Sequence, residues 1–213
     1  LMPLGLHFRL VLKEDLESLK MKAHEYGAYR AEVIPIDKIV MDPRVRLKCL
    51  VPVCENYGKN RMCPPNLPSL DEFGKALLRY RHAIIIQFKI GLNQAEVQER
   101  FAAKDLQALV LDEGYSQVMK ETMCNMLEVL GKLERDALYM GYRFAAGLSG
   151  GACALCVECV GPGEDKRCLH PFKARPSIEA MGIDVVATAE MAGLKVQFPA
   201  ETEAVWTGML LVD

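Results

Sequence analysis

The run His82-Ala-Ile-Ile-Ile-Gln-Phe-Lys-Ile90 decides how the chain is read. Three consecutive isoleucines between alanine and a nearby phenylalanine leave no continuous polar face, so the segment predicts a central strand covered on both sides. β-Branched residues at this density favour extended backbone. The apolar part is also far shorter than the ~20 residues of a membrane-spanning helix, so no membrane partner is expected. A strand buried on both faces needs amphipathic helices above and below it.

The flanking sequence supplies them. Upstream, Leu12, Leu16, Leu19, Ala23 and Tyr26 recur at helical steps and predict a helix ending at Gly27. Ser69 with Glu72 reads as a capping box opening a helix toward Arg81, with Leu70, Phe73, Leu77 and Tyr80 on its buried stripe. Downstream, helices are expected over 94–111 and 115–140, the second with Tyr115, Val118, Thr122, Met126, Val129, Leu133 and Ala137 inward. Ala31 to Val40, Tyr142 to Leu148 and Ala204 to Val212 read as further strands. Ser177 and Asp184 read as caps of short helices ending near Gly193. Strands interspersed with helices predict an α+β fold, a single domain over 1–213 with a mixed β-sheet and packed helices. Strand order does not follow from this pattern.

Lys and Arg number 26 against 28 Asp and Glu, giving a net charge of -2 and a pI near 6.2. That balance lacks the basic excess of nucleic-acid binders, so no nucleic-acid partner is expected. His7 and Arg9 precede the apolar triplet Leu10 to Leu12 and keep it short, and Lys13, Glu14 and Asp15 follow it. No export signal is expected, and a cytoplasmic location with reduced thiols is. A chain of 213 residues buries enough surface to hold a core without disulfides. Its eight cysteines therefore need another explanation.

Seven of them fall in two loops, 42–68 and 149–176, which carry little hydrophobic periodicity. The first holds Cys49-x4-Cys54-x8-Cys63, stiffened by Pro52, Pro64, Pro65 and Pro68. The second holds Cys153-x2-Cys156-x2-Cys159-x8-Cys168 among Gly147, Gly150, Gly151, Gly161 and Gly163. A tetrahedral zinc site takes its thiolates as two short-spaced pairs from separate hairpins, which a triple at consecutive x2 steps does not match. A [4Fe-4S] cube takes one thiolate per iron, and the x2, x2 triple wraps three of its corners, as in bacterial ferredoxins. The spacing therefore favours one or two [4Fe-4S] clusters, with zinc as the alternative. The first group supplies only three thiolates; its fourth ligand is Cys168, Cys124, His170 or none. Cys124 falls mid-helix and reads as a half-buried filler.

No H-E-x-x-H helix, G-x-S-x-G elbow or complete dinucleotide fingerprint is present, so no acid–base site is assigned and enzyme activity stays open. Lys48, Lys59 and Arg61 flank the first loop, and Lys166, Arg167, His170, Lys173 and Arg175 the second. Such cations would ease docking of an acidic redox partner protein. Electron transfer is the leading role, an open-site enzyme or sensor the second, and a zinc-stabilised interaction module the third.

The strings from Cys54 to Pro68, from Gly150 to Cys159, and from Cys168 through His170, Pro171 and Arg175 to Val185 resemble DUF2284, an uncharacterised family of predicted metal-binding proteins. The resemblance runs from about Ala31 to Leu194. It implies metal binding through Cys49, Cys54, Cys63, Cys153, Cys156, Cys159 and Cys168, and brings no established reaction.

Overall fold

The computed structural model describes residues 13–91, 113–163, 167–196 and 204–213. The expected helix over 94–111 lies outside them. The first element, α1 (Lys13–Glu25), buries Leu16, Leu19 and Ala23, the periodic residues that predict it. β1 (Arg30–Pro35) is shorter than expected because Pro35 brings no amide hydrogen to the ladder, and the chain turns into a 3-10 helix (Ile36–Lys38). α3 (Leu70–Leu77) follows the completed Ser69–Glu72 capping box and buries Phe73 and Leu77. β2 (His82–Lys89) is the isoleucine strand.

One helix was not anticipated: α2 (Pro43–Leu47), inside the segment expected to be all loop. Its signal was nonetheless in the sequence. The Asp42 carboxylate accepts from the Arg44 amide at 2.8 Å, and Pro43 occupies the first turn, where no amide hydrogen is needed.

The long α4 (Glu113–Tyr139) presents Met126, Val129, Leu130, Leu133 and Ala137 to the sheet. Gly141, at φ 98, ends it in the left-handed region. β3 is confined to Ala146–Leu148; Tyr142, expected to start it, instead packs into the core and donates its hydroxyl to Asp15 at 2.6 Å. After the second cysteine loop come a 3-10 helix (Glu179–Met181), α5 (Val185–Met191) capped by Asp184, and β4 (Val205–Val212).

The strand order is β1-β2-β4-β3, and all three pairings are antiparallel. The α+β class stands, but the expected mixed sheet is corrected. β2 and β3, joined through α4, do run parallel to each other, as a strand–helix–strand unit requires. The terminal strand inserts between them and splits the unit.

Alternation along β2 then divides the core. Ile84, Ile86 and Phe88 pack beneath α1 and α4, whereas Ala83 and Ile85 pack with Phe73, Leu77, Ile178, Ile183 and Ala189 on the opposite face. The central strand is thus covered on both sides, as its composition predicts. Leu133 is wholly buried at the first face. Leu133→Ala is expected to lower unfolding free energy by about 3 kcal/mol, through lost transfer energy and the remaining cavity; urea denaturation checks it. Among the described residues, no helix is long and apolar enough to cross a membrane.

Candidate metal centre

The first cysteine segment hangs from α2, which is anchored where Arg46 donates through Nη1 to the Ala180 carbonyl at 2.5 Å. Beyond α2 the backbone bonds to itself in short turns. The Cys54 amide donates to the Cys49 carbonyl at 3.1 Å, and the Gly58 amide to the Pro64 carbonyl at 2.8 Å. At the centre of these turns sits Asn60, 5% exposed. Its Oδ1 accepts from the Met62 amide at 3.0 Å, and its carbonyl accepts from both the Cys63 amide and the Asn66 side chain at 3.1 Å. The loop is therefore held by its own short turns and by a buried amide side chain at their centre.

The second segment is closed at its neck. Ser149 and Ser177 form an isolated parallel bridge; the Ser149 amide donates to the Pro176 carbonyl at 2.9 Å, and the Ile178 amide to the Ser149 carbonyl at 2.8 Å. Arg175 clamps the same neck onto α4 through a two-pronged pair with Glu134, whose Oε1 also accepts from the Gly147 amide at 2.6 Å. Arg175 is thus committed to structure, which corrects its expected place among the cations flanking the loop. Lys48, Lys59, Arg167 and Lys173 are exposed; Lys166 lies outside the described residues.

The two segments meet. Asn60 donates through Nδ2 to the Cys153 carbonyl at 2.9 Å, and Arg61 donates through Nη2 to the Gly163 carbonyl at 2.9 Å. Cys153, Cys156, Cys159 and Cys168 line one pocket with Asn60, Arg61 and Met62 from the first loop and His170 from the second. Two backbone amides approach its sulfurs: that of Arg61 at 3.5 Å from Cys159 Sγ, and that of His170 at 3.4 Å from Cys168 Sγ. Such donors stabilise thiolate charge. His170 accordingly touches sulfur through its backbone, and Cys168 sits with the second group. Cys124 is half-buried on α4 and is not among the residues lining this pocket.

Cys63 joins the groups electrostatically. Burial, then the nearby sulfurs of Cys54, Cys49, Cys153 and Cys159, push its thiol up to about 12. Burial also raises the Cys153 thiol, with Cys168, Cys156 and Cys159 adding to the effect, and raises the Cys49 thiol, with Cys54 adding. Crowded thiols of this kind stay protonated unless a cation compensates the charge, so metal uptake would release protons. All eight cysteines are free of disulfides.

Among the described residues, no three His, Cys, Asp or Glu side chains are grouped to hold a single metal ion. The donors are soft sulfur, with backbone amides directed at two of them, a set that suits a thiophilic metal centre.

Asn60, Arg61 and the Arg175–Glu134 pair were missed as site-building residues. An asparagine between two cysteines was the available signal for the first, whereas nothing local links Glu134 to Arg175. No curated protein and no solved structure matches the chain. A family profile described as "predicted metal-binding protein" matches residues 32–212, extending the resemblance through the last strand. With that match spanning most of its length, the chain belongs to DUF2284, a family of predicted metal-binding proteins.

Proposed function

We propose that this protein binds iron–sulfur clusters, one in each cysteine loop, and transfers electrons. The observation that carries the reading is the gathering of Cys153, Cys156, Cys159 and Cys168 around one pocket with amide donors on two of the sulfurs. Cys49, Cys54 and Cys63 would hold a second cluster. Residues of the two cysteine segments suit brief docking with an acidic redox partner protein: Val51, Val53, Val157 and Phe172 are exposed, as are the cations Lys48, Lys59, Arg167 and Lys173.

Anaerobic purification followed by metal and sulfide assay tests this. A brown protein absorbing at about 400 nm, with iron and acid-labile sulfide in equal amounts, is expected. A colourless protein carrying zinc without sulfide overturns it in favour of a zinc-stabilised module.

One observation favours a second reading, an enzyme or sensor with an incompletely ligated first cluster. Cys168 lines the pocket of the second group, which leaves Cys49, Cys54 and Cys63 as three thiols without a fourth. An iron lacking a protein thiolate would be accessible to a small molecule.

A further inference from the structure

On the α3 and α5 face of the sheet, apolar packing ends at two polar residues paired across β2 and β4, Gln87 and Thr207. Gln87 is fully buried, and its Nε2 donates to the Lys195 carbonyl at 3.0 Å. Its Oε1 has no hydrogen-bond partner among the described residues; neither does Oγ1 of Thr207, 6% exposed, nor Oε2 of Glu179. A buried polar atom left without a partner costs roughly 1–3 kcal/mol, so three in one neighbourhood call for an explanation.

The neighbourhood contains an opening. Thr207 and Glu179 line a pocket of about 190 Å³ together with Val185, Val196, Val205 and Trp206. It exists because β3 pairs only with residues 209–211 of β4, leaving the edge beyond them to Gly150 and Gly151. Among the described residues its lining includes no lysine, arginine or histidine. Arg46, on the helix that leads to Cys49, donates to the carbonyl of Ala180, the residue after Glu179.

Two orphaned oxygens and a hydroxyl at one side of valine walls are complementary to a molecule with hydrogen-bond donors on an apolar body. We propose that this pocket binds a small organic ammonium ion, its charged end received by Glu179 and Thr207 beside Gln87 and its body laid against the valines. An apolar cavity of ~150 Å³ holds benzene, so a single-ring amine is of suitable size. Delivery of such a molecule to an open cluster rests on the second reading above; the binding itself does not.

Trp206 is the only tryptophan of the chain, so its fluorescence reports on the pocket wall directly. Benzylammonium titrated into the full chain as isolated is expected to change that fluorescence saturably and to show saturation transfer to its ring protons, with benzoate silent in both. Glu179→Gln should weaken binding about tenfold, as loss of a charge-assisted hydrogen bond does, and the near-isosteric Thr207→Val about threefold. Equal binding of benzoate, no response to benzylammonium, or unchanged affinity in Thr207→Val overturns the proposal even where Glu179→Gln does not fold. Iron and sulfide assay of the same sample separates the two ideas. A metal-free protein that binds the amine sinks only the cluster reading, and an iron-loaded protein blind to the amine sinks only the pocket.

Discussion

Cys63→Ala is expected to abolish metal binding in the first loop, lowering iron, sulfide and the visible absorbance by about half if the clusters are independent. Cys63 is the most buried of the seven loop cysteines and the one whose charge is felt by sulfurs of both groups. Alanine offers no soft anionic ligand, and its neighbours cannot swing in without breaking the turns around Asn60. Cys156→Ala should remove the other half, because it opens the x2, x2 triple in its middle. Cys124→Ala serves as the control and should change none of the three readouts. Full iron and sulfide in Cys63→Ala would show that the first loop is not a ligand set.

Comparable in size, and opposite in sign between two sites, is the effect of adding one methyl group to a glycine. At Gly150 a Cβ would stand 2.0 Å from Trp206 Nε1 and 2.9 Å from the Thr207 carbonyl oxygen. The indole could retreat only by leaving the packing of the first core face, and the carbonyl belongs to a central strand. Gly150→Ala is therefore expected to destabilise the protein by at least about 2 kcal/mol through overpacking. It should also loosen the neck of the second cysteine loop, so that metal is lost more readily to a chelator. Gly131, in the middle of α4, has nothing within 4 Å of the same atom. Gly131→Ala should stabilise by about 0.5–1 kcal/mol, since alanine loses less backbone entropy in a helix. Thermal melts of the two variants beside the parent protein decide the matter; a Gly150→Ala protein as stable as its parent would contradict the packing described.

How much of this was legible in the sequence depends on the range of the interactions concerned. The Ser69–Glu72 capping box, the Asp184 cap and the inward stripe of α4 involve residues within a few turns, and each appears as expected. The shortened β1 is equally local, since Pro35 announces it. The insertion of β4 between β2 and β3 was not legible, because pairing depends on which edges remain open once α4 has crossed the sheet. The site divides in the same way. Cysteine spacing indicated soft-metal ligation, and the family match supports metal binding, whereas the choice left open for Cys168, between its own group and the first, turns on how the loop closes at Ser149 and Ser177.

By itself, then, the sequence determined the elements, their inward faces and the chemical softness of the candidate ligands, because all three follow from side-chain type at short separations. Tertiary structure alone decided what those elements and ligands meet. Asn60 reaches Cys153 across most of a hundred positions, Arg175 finds Glu134 on a helix formed long before it in the chain, and Glu179 and Thr207 come to share one pocket. Contacts of that kind arise where loop closure, strand insertion and burial place distant groups together, and no short stretch of residues encodes them.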